Sequence, residues 1–128
     1  MVKYFFDSYA VIELVKGNPL YAKYANEVVV ITLFNLVEIY WSFVNEYGEE
    51  KAKKLYANFK ECVVPINDKV IQEAVKLRKE NKKRNLSYAD CIGYIYAKQN
   101  DFLFLTGDKE FEHMSNVEFA RKNWYVHS

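Results

Sequence analysis

Hydrophobic and polar positions alternate between two kinds of segment along the chain. Residues 2–6 (VKYFF) are a short β-prone run that stops at Asp7-Ser8, and residues 10–15 continue with helical character. Gly17-Asn18-Pro19 punctuates the chain, with Asn18 as N-cap and Pro19 at the first position of a short helix reaching about Asn26. Residues 28–31 (VVVI) are wholly apolar and read as a buried strand. A long helix is expected over 32–47, closed by Gly48, then a charged and more exposed helix over 49–60. Residues 62–65 (CVVP) read as another short strand. Asn67 caps a helix to about Asn81, Ser87 starts a further helix to Asn100, and 102–106 (FLFLT) is the cleanest strand in the chain. A helical turn at 109–114 and a last edge strand within 116–120 complete the pattern. Strands alternating with helices, without tight hairpin signals, predict an α/β fold with a parallel sheet covered on both faces.

Composition narrows the class. With 128 residues, 15.2 kDa and 51% hydrophobic side chains, one compact domain spanning residues 1–128 is expected. Eleven Tyr, nine Phe and two Trp exclude a disordered or fibrous chain. Among them Tyr40, Trp41, Phe43, Tyr47 and Tyr56 are expected mostly in the core. Eighteen basic against seventeen acidic residues leave a net charge of +1, so any charged partner must be recognised by local patches. Cys62 and Cys91 are isolated, which indicates reduced, core-like thiols rather than disulfides or a zinc knuckle. The N-terminus lacks the layout of a signal peptide, and the apolar stretch 28–44 is broken by Thr32, Asn35, Glu38 and Ser42. A cytoplasmic protein without a membrane span is expected.

The candidate chemistry lies in the acids. Ligands of parallel α/β sheets bind outside the carboxyl ends of the strands. Asp7 ends the first strand and Asp108 follows FLFLTG; each also suits the N-cap of the next helix. Glu38 falls mid-helix between Val37 and Ile39, where most of the helix reads as buried. With Asn35 and Ser42 it forms one polar stripe. Asp90 completes a capping box with Ser87 and stands at the entrance of the apolar helix CIGYIYA.

Carboxylates within about 5 Å of each other repel by roughly 3 kcal/mol per pair, so such a cluster needs a compensating cation. An all-oxygen site selects Mg²⁺ or Mn²⁺; His113 and His127 have no metal-ligand spacing. A divalent ion held by carboxylates suits phosphodiester hydrolysis, and no serine-hydrolase, P-loop or dinucleotide-binding motif competes. Residues 76–84 (KLRKENKKR) hold six of the eighteen basic residues just before the Asp90 helix. Lys79, Lys82, Lys83 and Arg84 are the candidate phosphate contacts in that run; a solvated helix end is the alternative.

In order and spacing, Asp7-Ser8 after a hydrophobic strand, Glu38 in NLVEIYW, Asp90 in LSYADCIGYIYA and Asp108 in FLFLTGDKEF resemble the acidic motifs of PIN-domain ribonucleases. The nearest likeness is to the toxin component of VapBC-type toxin–antitoxin modules. The resemblance spans the whole chain. It implies a three-layer α/β/α PIN-like fold with a central parallel sheet, Mg²⁺- or Mn²⁺-dependent RNA cleavage, homodimerisation, and inhibition by a small antitoxin whose C-terminal segment lies over the active site. Asp7, Glu38, Asp90 and Asp108 would be the catalytic, metal-binding acids, with Thr106 and Ser8 supporting them by hydrogen bonds. Two departures are visible: Tyr9 occupies a position that is often small in the family, and Glu110 and Glu112 lie where some members carry an additional acid. A catalytically silent PIN-like module binding RNA or protein is a rival reading. A receiver-type signalling domain is a weaker one, because Phe6-Asp7-Ser8 supplies a single acid where that fold expects adjacent ones.

Overall fold

The computed structural model describes residues 1–120; His127 lies outside them. Three strands, β1 (Tyr4–Phe6), β2 (Leu103–Thr106) and β3 (Val117–Phe119), form a parallel sheet in the order β1-β2-β3. Five helices are α1 (Ser8–Val15), α2 (Leu33–Tyr47), α3 (Glu49–Lys60), α4 (Asp68–Glu80) and α5 (Tyr88–Gln99), with 3-10 turns at Pro19–Tyr24 and Lys109–Phe111. The expected α/β architecture is present.

Strand periodicity divides the core into two halves. Phe5 pairs with Phe104 and Phe6 with Leu105, and successive side chains along a strand point to opposite faces. Phe6 and Leu105 therefore join a cluster with Val11, Leu36, Ile39 and Phe43 from α1 and α2. Phe5 and Phe104 join the other cluster, with Val70 and Ala74 of α4 and Ile92 and Tyr94 of α5. Helices thus cover both faces of the sheet, the three-layer arrangement of a PIN-like fold.

The helix starts follow the sequence. Asn18 accepts from the Leu20 amide at 3.0 Å with Pro19 next, and Asn67 accepts from Val70 at 2.9 Å. Gly48 joins α2 to α3 at φ 83°, a left-handed backbone that a side chain would strain.

Two expected strands are corrected. Residues 28–31 and 62–65 meet only at one parallel bridge, Ile31 with Val63. Val28 is exposed, and the amides of Cys62 and Val63 turn back to Phe59 and Lys60 at the end of α3, which leaves too few donors for a ladder. A single bond from the Phe6 amide to Val30 ties the first segment to the sheet edge.

The expectation that α2 is mostly buried is also corrected. Leu36, Ile39 and Phe43 face the core, but Val37 is 64% and Trp41 71% exposed, and Leu33 and Phe34 are exposed beside them. As an outer-layer helix packed on α1 and α3, α2 buries one stripe and leaves an apolar opposite face. Of the aromatic residues expected in the core, Phe43 is buried and Tyr40, Tyr47 and Tyr56 are half-buried around it, whereas Trp41 is not. Both cysteines are free, Cys91 buried and Cys62 partly so. Among the described residues no helix is long and apolar enough to cross a membrane.

Candidate active site

Asp7 follows β1 directly and caps α1, its Oδ1 accepting the Ala10 amide at 2.7 Å. Its own amide donates to the Leu105 carbonyl at 3.1 Å, which pins it beside the end of β2. There Thr106 accepts the Asp108 amide at 3.0 Å, and Asp108 Oδ1 accepts the Glu110 amide at 2.9 Å to cap the short 3-10 turn. Parallel register thus brings the acids after two strands to one edge of the sheet. Gly107 between them is required by close approach: a Cβ there would stand 2.5 Å from Tyr21 Oη and 3.3 Å from the Tyr9 ring.

The helices supply the other two acids. Asp90 Oδ2 accepts the Ser87 amide and Ser87 Oγ accepts the Asp90 amide, each at 3.0 Å, the reciprocal capping box expected from the sequence. Glu38 is positioned by a relay that local sequence does not reveal. Ser8 Oγ donates to Glu38 Oε1 at 2.6 Å and accepts from Asn35 Nδ2 at 3.0 Å. Asn35 Oδ1 in turn accepts from the Thr32 amide and hydroxyl at 2.9 and 2.8 Å. The polar stripe is the sequence signal for Asn35; its link to Ser8 on another helix needs the fold.

Glu38, Asp90, Asp108, Ser8 and Tyr9 line one open cleft of about 720 Å³, which Val37 and Trp41 border on the α2 side. Asp7, 2% exposed, does not line the cleft but adjoins Ser8, which does. Burial pushes the Asp7 carboxyl up to about 7; the charges of Asp90 and Asp108 add to this, while Thr106 and the Ala10 amide favour the ionised form. Asp90 is raised by burial first and by Glu38 and Asp108 next, against the bonds from Ser87. The four acids therefore share one electrostatic neighbourhood. Ion pairs among the described residues are Lys16–Glu13, Lys23–Glu118 and His113–Glu112, so none neutralises this group.

A hard divalent cation fits these donors in element: they are carboxylate oxygens, and no ion pair among the described residues neutralises them. Ligating geometry is a separate matter. Among the described residues no three Asp, Glu, His or Cys side chains stand close enough to hold a metal ion. Each carboxylate has an oxygen bound to a partner of its own, Ala10, Ser8, Ser87 or Glu110, and Asp7 is bonded to Thr106 as well.

The remaining candidates separate. Lys79, Lys82 and Arg84 line both a smaller cavity beyond Leu86 and the groove next to it, whereas Lys83 lines the groove alone. Neither Glu110 nor Glu112 lines the cleft, and His113 is exposed. Three residues near the site carry no distinct signal in the sequence. Among the described residues Arg78 is the one cation lining the acidic cleft, Tyr88 sits inside the capping box, and the Tyr21 hydroxyl is buried without a hydrogen-bond partner.

A three-layer α/β domain with carboxylates gathered at the carboxyl edge of a parallel sheet defines the class. Residues 4–117 match the model of the PIN domain, and the chain belongs to that family. Among solved structures, it is similar to the Mycobacterium tuberculosis VapC20 toxin, described as cleaving the sarcin–ricin loop. The TM-score is 0.76 at 16% identity over 93% of this chain and 100% of the other. A toxin–antitoxin complex from Klebsiella pneumoniae aligns with TM-score 0.72 and 22% identity over 94% and 100% of the two chains. VapBC-1 from nontypeable Haemophilus influenzae aligns with 0.67 and 17% over 98% and 99%. At these identities the likeness is one of fold. No curated protein sequence matches the chain.

Proposed function

We propose that the chain, as one domain over residues 1–128, is a metal-dependent endoribonuclease and the toxin of a toxin–antitoxin pair. The observation that carries the reading is three acids, from α2, α5 and the turn after β2, lining a single cleft, with buried Asp7 after β1 electrostatically coupled to two of them and no cation ion-paired to any of the four among the described residues. Asp7, Glu38, Asp90 and Asp108 are the residues that would hold Mg²⁺ or Mn²⁺, drawing closer together than they stand in this structure. Bound there, such an ion supplies positive charge to the phosphoryl group under attack and activates water. Ser8, fixed by Asn35, orients Glu38, and Thr106 steadies the Asp7–Asp108 edge.

An antitoxin partner is supported by the apolar rim beside the acids, Val37 and Trp41 of α2, and by the toxin–antitoxin complexes among the structural neighbours. Homodimerisation and a cytoplasmic location follow from the same family reading. A silent PIN-like binding module is the second reading, and the presence of all four acids weighs against it.

RNA cleavage with Mg²⁺ or Mn²⁺ that disappears in EDTA and in Glu38→Gln and Asp90→Asn is the expected result. Cleavage indifferent to EDTA and to both substitutions would remove the mechanism. RNA binding without cleavage under any divalent ion would favour the silent module. Light scattering of the chain alone and with a co-encoded small protein tests the assembly.

A further inference from the structure

Beyond Leu86 the acidic cleft gives way to a second cavity of about 300 Å³, and the two share Arg78, Leu86 and the start of α5. Its lining contains four cations, Arg78, Lys79, Lys82 and Arg84, and no carboxylate among the described residues. Among those residues none of the four makes an ion pair. In a chain of net charge +1 this is a local concentration of unpaired positive charge.

Two of the cations are preorganised. Arg78 Nε donates to the Leu86 carbonyl at 3.0 Å and its guanidinium stacks on the Tyr88 ring, 4.2 Å from the centroid. Arg84 donates through one terminal nitrogen to the Glu110 carbonyl at 3.2 Å. Main-chain acceptors fix both groups without neutralising them, so they retain their attraction for an anion. Tyr88 remains 52% exposed, an aromatic surface lining the basic cavity two residues before Asp90 of the acidic cleft.

We propose that this cavity is a phosphate subsite for the substrate strand: single-stranded RNA crosses from the acidic cleft over Tyr88 and Arg78, with a base against the Tyr88–Arg78 stack and adjoining phosphates on Lys79, Lys82 and Arg84. Sequence-tolerant strand binding combines these parts, cations tracking the backbone and an aromatic face for the base. Arg78 is then a positioning residue at the junction of the two cavities. Lys83 does not line this cavity; it lines the adjoining groove, which shares Lys79, Lys82 and Arg84 and also holds Glu80. The inference rests on the nuclease reading and names how that site would receive its substrate.

The test is binding of a single-stranded oligoribonucleotide of about ten nucleotides to the full chain in EDTA, followed by fluorescence anisotropy across a salt series. Lys79→Gln with Lys82→Gln should flatten the slope of log affinity against log salt by about 0.7 for each phosphate that is no longer neutralised. Tyr88→Ala should weaken binding about tenfold by loss of stacking. Arg78→Lys should restore the salt slope of Arg78→Gln but not its full affinity, because lysine keeps charge without the planar stack. Lys53→Gln with Lys54→Gln, on α3, should change neither quantity. An unchanged slope in the cavity double variant together with unchanged affinity in Tyr88→Ala would overturn the proposal. Equal competition by polyglutamate of the same charge would overturn it too, by making the cavity a general anion site. Because no cleavage is measured, failure of the nuclease reading leaves a separate signature: normal strand binding, normal salt response and no hydrolysis with any divalent ion.

Discussion

Helices α2 and α5 each bring one carboxylate to the cleft, by different routes. On α5, Ala89, Gly93 and Ala97 recur every four residues and are buried, so the backbone lies close against the sheet. A Cβ on Gly93 would stand 2.5 Å from Phe5 and 3.3 Å from Phe104. Asp90 is in the first turn of that seated helix and satisfies the amide of Ser87, a requirement of the local backbone. Glu38 has no such local reason to be where it is. It lies mid-helix on α2, an outer element with an apolar exposed face, and is held by Ser8 from α1, thirty positions away. One acid is placed by helix capping and the other by a side-chain relay that exists only once α1 docks on α2.

The seat of α5 is the part of this comparison that breaks most severely. Gly93→Val should destabilise the protein by about 3 kcal/mol or more, since neither Phe5 nor Phe104 has space to retreat in a filled core. Urea unfolding reads this directly, and a loss below about 1 kcal/mol would mean that α5 can move off the sheet.

Asp7 separates the two helices electrostatically, because Asp90 of α5 raises its carboxyl and Glu38 of α2 is not among the causes. With a native value of about 7 against an unfolded one near 4, the folded state binds more protons between those limits. Metal-free stability should be undiminished below about pH 4, fall as pH rises through 7, and level above it. Asp7→Asn keeps an acceptor for the Ala10 amide and removes the charge, so above pH 7 it should be more stable than the parent by on the order of 2 kcal/mol. Thermal melts in EDTA across that range check the sign. Parallel curves for parent and variant would show that Asp7 is not the group responsible.

The two support systems themselves separate next. Ser8→Ala should lower metal-dependent cleavage roughly tenfold by freeing Glu38, and cost about 1 kcal/mol of stability because the buried Asn35 amide loses its acceptor. Ser87→Ala should cost a similar amount through the lost cap of α5 but leave cleavage nearly unchanged, since Asp90 keeps the Ser87 amide. The reverse pattern would place the relay at α5 and the cap at α2.

The smallest expected effect concerns the outer face of α2. Trp41→Ser should change stability by no more than about 0.5 kcal/mol, because the indole is 71% exposed. Its consequence should appear only as weaker association with a partner covering the cleft, measured by calorimetry.

Much is legible before folding because it depends on near neighbours. The caps Asn18, Asn67 and Ser87 are short-range hydrogen-bonding preferences, and each helix starts where they stand. Strands such as VKYFF and FLFLT alternating with helical segments, without hairpin signals, are enough to predict a parallel sheet covered on both faces, and it is. Asp7 and Asp108 are readable as residues after strands, at the edge where parallel sheets bind ligands.

The differences between pattern and fold share a cause. Residues 28–31 are apolar enough for a buried strand, yet a ladder requires amides on a neighbour, and those of Cys62 and Val63 are committed to α3. Trp41 and Val37 are hydrophobic, but hydrophobicity does not say whether a face meets this chain or another. Helix positions, helix caps and the acids that end strands were set within a few residues of chain, because backbone geometry acts at that range. Three features came into being only when distant segments packed: Ser8 holding Glu38, Asp7 buried enough to retain a proton near neutrality, and Arg78 with Tyr88 joining a basic cavity to the acidic cleft. Desolvation and long-range packing create those properties, and no local pattern encodes either.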